Sequence, residues 1–191
     1  GVKEHIVESL ERRGVRVTVV PYDTSYTEIA RLKPDGVLTS PGPGDPENAD
    51  PAIETVAQIL ESRVPYFGVC LGHQLLALAI GASTSKLKFG HRGGNHPVID
   101  LETDRVYITS QNHGYEVDRA SVPEDLGWVV SMVNLNDGSV EGLRHRELPV
   151  FSVQYHPEGS PGPQDNQYLF DEFVELVRRR QRESDRTEVS S

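Results

Sequence analysis

The stretch Val64-Pro65-Tyr66-Phe67-Gly68-Val69-Cys70-Leu71-Gly72-His73-Gln74-Leu75-Leu76-Ala77-Leu78-Ala79-Ile80 decides the fold. The apolar run up to Val69 reads as a buried strand, Gly68 to Gly72 as a sharp turn, and Gln74 to Ile80 as a helix. The chain's single cysteine stands at the apex. Small residues on both sides of a reactive atom are what a nucleophile elbow requires, because the turn is crowded. A thiol at a helix N-terminus lies near free N–H groups and the positive end of the dipole, which favours the thiolate. The N–H of Leu71 can point at a developing oxyanion. An inert cysteine on a core strand is the alternative.

Outward from the elbow, strands and helices alternate. Residues 3–13 read as a helix, with Ile6, Val7 and Leu10 on one face and Gly14 at its end. The β-branched run from Val15 to Pro21 predicts a buried strand. Thr27 to Leu32 predicts a short helix, Gly36 to Thr39 a strand, and Ala52 to Leu60 a helix. After Gly81 the texture changes. Strands are expected at 105–110, 128–133, 139–143 and 150–155, with turns at Asn136-Asp137-Gly138 and near Pro123. A last helix covers about 166–180, carrying Leu169, Phe170, Phe173, Val174 and Val177 at helical spacing. The polar residues 181–191 predict a disordered tail. The sum is one α/β domain over residues 1–180: a mainly parallel central sheet flanked by helices, with a smaller antiparallel portion. No strand precedes the first helix, although doubly wound sheets normally begin with one. The expectation is that the chain lacks at least one core strand.

Composition narrows the function classes. The chain has 191 residues, a net charge of −10 and a pI near 5.1, which argues against a nucleic-acid-binding surface. A single cysteine rules out an intramolecular disulfide framework and suits a reducing compartment. No run is apolar enough for a membrane span or a signal segment. His91 and His96 flank Arg92-Gly93-Gly94-Asn95 with no cysteine or second histidine pair nearby, so no metal site is expected.

A thiol nucleophile needs a base, and the base an orienter. Val153-Gln154-Tyr155-His156-Pro157-Glu158 follows the apolar run from Val150. In extended chain, residues two apart share a face. His156 and Glu158 can therefore lie side by side, with Pro157 stiffening the pair. The loop SPGPGDP (40–46) leaves a strand at the end where α/β folds place their sites, and its glycines expose backbone N–H groups. It lacks the lysine and hydroxyl of a phosphate loop. Thr109 to Tyr115 reads as a loop offering amide, imidazole and aromatic groups around Gly114. Phe89 to Val98, dense in Gly and His, reads as a constrained loop.

On these residues the chain resembles a class I, triad-type glutamine amidotransferase. The runs SPGPGDP (40–46), FGHRGGNHPV (89–98), SQNHGYEV (110–117) and HPEGSPGPQD (156–165) are most similar to the glutaminase domain of carbamoyl phosphate synthetase small subunits. The resemblance runs from Gly1 to about Val177. It implies Cys70 as nucleophile, His156 as general base and acid, and Glu158 as orienter. It implies glutamine contacts at Gly42, Gly44, Leu71, Gln74, Asn112, Gly114 and Tyr115. The family often has Phe where Tyr115 stands and a small residue where Pro41 stands. The implied reaction is hydrolysis of L-glutamine through a thioester. The ammonia passes by a tunnel to a large synthetase subunit that makes carbamoyl phosphate for arginine and pyrimidine synthesis in the cytoplasm. No cofactor is implied in this chain; ATP and metal belong to the partner. The resemblance also implies a separate upstream N-terminal domain. An amidotransferase serving another synthetase, a silent interaction protein, and a peptidase or γ-glutamyl hydrolase are the rivals.

Overall fold

A computed structural model of the chain describes residues 3–159 and 165–190. Residues 160–164 of the HPEGSPGPQD run, and Gly1 and Val2 of the N-terminus, lie outside the described residues. Among the described residues seven strands form one mixed sheet: β1 (Val37–Thr39), β2 (Tyr66–Val69), β3 (Thr84–Asp100), β4 (Val106–Val117), β5 (Trp128–Asn134), β6 (Val140–His145) and β7 (Val150–Val153), in the order β1-β2-β7-β6-β5-β3-β4. β1, β2 and β7 pair in parallel. The remaining neighbours pair antiparallel. The α/β class therefore holds, with a parallel core and an antiparallel part.

The α-helices of the described residues cover the sheet: α1 (Glu4–Glu11), α2 (Tyr26–Arg31), α3 (Asp50–Glu61), α4 (Leu71–Ala79) and α5 (Tyr168–Val189). Ser25 caps α2 in a full capping box with Glu28. Side chains alternate across each strand and feed two cores. Phe67, Val69, Phe151 and Val153 face one side, against Ile6 and Leu10 of α1 and Phe170 and Phe173 of α5. Tyr66 and Val150 face the other, with Val56 and Ile59 of α3, Leu75 and Leu76 of α4, and Trp128 and Leu143. The Phe67 and Phe151 rings stack at 4.4 Å across the parallel pair β2–β7.

Four expectations need correction. Val15 to Pro21 forms no strand. Val15 and Val17 pack against the α1–α5 core, but no strand among the described residues lies beside them to complete a ladder. Phe89 to Val98 is not a loop: it lies inside the long strand β3. Thr109 to Tyr115 likewise lies inside β4. The Gly- and His-rich sequence hides these strands because its pairing is broken by bulges between Lys86 and His91 and between Gly93 and His96. Gly90 and Gly93 take positive φ there, at +70° and +117°. Finally, residues 181–189 continue α5 as helix. Arg, Glu and Gln are good helix formers, so the helix extends beyond its last buried residue, Val177, as a solvated polar rod. Among the described residues no helix is long and apolar enough to cross a membrane.

Candidate active site

The elbow stands where β2 ends in the parallel core. Cys70 takes φ +54° and ψ −102° before the first turn of α4, a conformation that costs a non-glycine residue about 1–3 kcal/mol. Its N–H donates to the Val153 carbonyl at 2.9 Å, tying the apex to β7. The flanking glycines are sterically required. A Cβ on Gly68 would sit 2.6 Å from the Gly72 carbonyl oxygen, and one on Gly72 would run into the carbonyl oxygen of Thr39 in β1.

His156 and Glu158 leave the end of β7. The N–H of His156 donates to the Ser110 carbonyl at 2.9 Å, which anchors the segment to β4. His156 Nδ1 lies 2.8 Å from Glu158 Oε1, and both side chains are buried. The carboxylate accepts the Nδ1 proton and so leaves Nε2 as a bare lone pair. That Nε2 is buried and has no hydrogen-bond partner among the described residues. Lys3 Nζ approaches the same carboxylate oxygen at 3.6 Å.

Cys70 and His156 open into one cavity of about 530 Å³. Gly42, Gly44, Gln74, Asn112, Gly114 and Tyr115 line it as well. Leu71 does not. Its side chain turns towards Gly42, where an added Cβ would meet Leu71 Cδ2 at 2.8 Å, and only its backbone N–H serves the thiol. Gln74 is buried, and its Nε2 donates to the Tyr115 carbonyl and to Gln154 Oε1, both at 3.1 Å. A second cavity, of about 380 Å³, lies alongside and shares Lys3, Arg92, Asn112 and His156 with the first.

The electrostatics of the thiol differ from the sequence expectation. Burial pushes Cys70 up to about 12, and the Glu158 and Glu141 carboxylates push the same way. The Leu71 N–H and Lys3 oppose this and lose. A helix N-terminus stabilises an anion by only about 0.3–1 kcal/mol when exposed, which is too little against full desolvation of a thiolate. The resting thiol is therefore protonated and needs a base to take its proton as it attacks.

Sequence reasoning missed several members of the site. Gln154 Nε2 lies 3.8 Å from Cys70 Sγ. Its place two residues before His156 on an extended segment was the available signal. Lys3, Lys86 and Arg92 bring positive charge to the cavity wall from elements distant in sequence, and no local pattern announces them. The tightest group of metal-type donors among the described residues is His91, His113 and Glu141, whose donor atoms lie within 4.8 Å of one another. Both Glu141 oxygens already accept side-chain amides, Gln111 Nε2 at 3.0 Å and Asn134 Nδ2 at 3.2 Å, so the cluster reads as a hydrogen-bonded charge network.

The family model for glutamine amidotransferase class-I matches residues 1–176. Relatives named carbamoyl phosphate synthase small chain include that of Staphylococcus epidermidis, 57% identical over 178 residues, which are 93% of this chain and 48% of the relative. The protein of that name from Methanocaldococcus jannaschii is 54% identical over 180 residues, 94% of this chain and 50% of the relative. The chain thus spans about half the length of the curated relatives it matches. A crystal structure described as a GMP synthase component from Thermoplasma acidophilum superposes with a TM-score of 0.81, covering 95% of this chain and 91% of that one. At 21% identity that likeness speaks for the fold alone.

Proposed function

The chain belongs to the glutamine amidotransferase class-I family, and from that membership we propose that it hydrolyses L-glutamine to glutamate and ammonia and hands the ammonia to a carbamoyl phosphate synthetase large subunit. The observation that carries the reading is the buried, unpartnered Nε2 of His156, opening with the Cys70 thiol into one cavity while Glu158 holds the other ring nitrogen.

His156 Nε2 takes the thiol proton as Cys70 Sγ attacks the carbon of the glutamine side-chain carboxamide. The carbonyl π electrons move to oxygen, and the N–H groups of Leu71, Gly42 and Gly44 stabilise that oxyanion. His156 returns the proton to the departing nitrogen, so the C–N bond breaks, ammonia leaves and a thioester remains. His156 then takes a proton from water, the hydroxide adds to the thioester, and glutamate leaves as the protonated thiol is restored. Glu158 orients the imidazole and balances its charge in each half-reaction. Asn112, Gly114, Tyr115 and Gln74 form the wall against which the amino-acid portion rests.

Free ammonia is protonated in water and loses its nucleophilicity, so a sheltered exit and a receiving subunit follow from the chemistry. The second cavity, which shares the His156 and Asn112 walls, supports such an exit. The 53–57% identity to small chains supports the synthetase partner and its pathways, arginine and pyrimidine synthesis. ATP and metal chemistry fall to that partner, and the cytoplasm is the compartment this assembly implies.

The test is glutamate release from L-glutamine by the wild-type chain and by Cys70→Ala, each with and without the large subunit. Loss of Cys70 is expected to lower kcat by about three orders of magnitude or more. Equal release by both proteins would remove the thiol from the reaction.

A further inference from the structure

The β4 strand that walls the cavity carries a polar network that the reaction above does not use. His113 Nδ1 faces the Tyr115 carbonyl at 2.8 Å, and its Nε2 faces Gln111 Oε1 at 2.7 Å. Gln111 is fixed in that orientation because its Nε2 donates to Thr109 Oγ1 at 2.9 Å and to Glu141 Oε2 at 3.0 Å. Both nitrogens of His113 therefore face acceptors. His91 Nε2 faces the Asp137 carboxylate at 2.6 Å. Its Nδ1 lies 3.2 Å from His113 Nε2 and 3.6 Å from Glu141 Oε1. Two neutral imidazoles carry two N–H groups between them. The Tyr115 and Asp137 acceptors take one each, and the facing nitrogens His91 Nδ1 and His113 Nε2 need a third between them. The histidine pair thus holds one proton in excess, balanced by the Asp137 carboxylate at 2.6 Å and by the fully buried Glu141.

The location of that proton within the pair follows from its neighbours. The Glu141 and Asp137 carboxylates push His91 up to about 9. Burial pushes His113 down to about 4. The proton therefore resides mainly on His91, while the Gln111 carbonyl draws it towards His113; in both arrangements the pair is singly charged. The other groups that bear on it are His96 on β3, Glu116 on β4, His73 on α4 and His156 beyond β7.

This network is continuous with the cavity wall, since His113 lines the first cavity and Gln111 the second. Gln111 and His113 flank Asn112, whose carbonyl lies 3.9 Å from Cys70 Sγ. The Tyr115 carbonyl that accepts from His113 also accepts from Gln74. The Glu141 carbonyl takes the N–H of Gln154, the residue beside the thiol, at 2.8 Å. We propose that Glu141 is a positioning residue for the substrate: through Gln111 and the charged His91–His113 pair it fixes the β4 segment Gln111–Tyr115 against which glutamine binds. This rests on the glutaminase reading and extends it to a residue that touches neither glutamine nor the thiol.

Glutamine binding by the full chain in a Cys70→Ala background, where the ligand is not consumed, gives a direct readout by calorimetry. Glu141→Gln keeps the side chain's shape but removes the charge and turns an amide donor against Gln111 or Asn134. It is expected to weaken binding about ten- to a hundredfold, the scale of a lost charged hydrogen bond. With Cys70 present, the same substitution is expected to raise KM by a similar factor while kcat moves less than about threefold, because only binding geometry is disturbed. His91→Asn, at the edge of the network, is a second variant that removes the pair's charge with Glu141 intact, and the same direction is expected. An unchanged dissociation constant in both variants overturns the proposal, as does a parallel fall of kcat and kcat/KM with KM unmoved. A stoichiometric transition metal in the purified wild-type chain also overturns it, since a cation would then fill the place of the proton. If wild-type chain releases no glutamate and Cys70→Ala binds no glutamine, the glutaminase reading itself fails. Normal turnover with an unmoved dissociation constant defeats this inference alone.

Discussion

The two halves of the sheet are built on different terms. The parallel half, β1-β2-β7, is dry: Tyr66, Phe67, Val69, Val150, Phe151 and Val153 are all buried, and aromatic rings stack across it. The outer antiparallel half, the β3–β4 ribbon, is polar, glycine-rich and bulged, with Phe89 82% exposed. The candidate site lies on the seam between them, thiol and base from the dry half, cavity wall from the wet one. A rigid apolar frame holds reacting atoms in place. A hydrogen-bonded ribbon can present amides and carbonyls to a polar amino acid without burying them unpaired. The difference sets a division of labour, in which substitutions in the dry half damage chemistry and folding while those in the ribbon damage substrate affinity.

The largest effects test the chemical side of that division. His156→Ala is expected to lower glutaminase kcat by about three orders of magnitude or more, close to the loss at Cys70, because residues acting as a unit are not additive. Glu158→Ala should cost at least about tenfold less than His156→Ala, since an orienter is partly dispensable. Removing Glu158 takes the acceptor from the buried His156 Nδ1 and frees the ring's tautomer, and that is the loss the ranking measures. Equal losses at the two positions, measured as kcat in steady-state glutamate release, would break the ranking and make the carboxylate a participant in proton transfer.

Stability sharpens the comparison next. Phe67→Ala empties a ring that packs on Phe151, Phe170 and Phe173, and should cost about 3–5 kcal/mol in denaturant unfolding. Phe89→Ala on the ribbon should stay within about 0.5 kcal/mol. Gly72→Ala should cost about 1–3 kcal/mol or more, because its Cβ meets backbone of β1, which cannot swing aside. A ribbon substitution as costly as the Phe67 one would show that the two halves share one cooperative core.

The same division explains what the sequence made legible. The elbow, the helices α3 and α4, and strands β2 and β7 follow from local apolar runs and punctuation, because buried parallel strands read as continuous hydrophobic stretches. The hairpin turn at Asn136-Asp137-Gly138 follows from its φ requirements, with Gly138 at +75°. The ribbon did not follow, since a bulged strand with positive-φ glycines breaks the two-residue period on which strand reading depends. Cys70, His156, Glu158 and the glycine loop were found through motif chemistry. Glu141 and Gln154 were not, because a buried polar residue announces itself only through partners that the fold brings together. The state of the thiol is hidden for a related reason: the dipole at the turn is local and visible, whereas burial beneath β4 and β7 is a tertiary fact.

That burial yields the most discriminating effect. A free thiol with its pKa near 8.5 is alkylated at a rate that levels off about one unit above that value, once the thiolate is fully formed. Cys70 is pushed up to about 12 by burial. Below its pKa each unit of pH raises the thiolate fraction tenfold, so its reaction with iodoacetamide should keep rising by about that factor per unit through pH 10 without levelling off. The sign is fixed by the group being an acid whose neutral form is favoured by the dry half. A rate that levels off near pH 9 would mean the thiol is solvated. A rate flat from pH 6 to 9 would mean that Cys70 and His156 rest as a thiolate–imidazolium pair, with the proton already on Nε2. Repeating the profile in His156→Ala separates these: the tenfold slope should persist without the imidazole if burial governs the thiol, and a flat profile should collapse with it if the ion pair does.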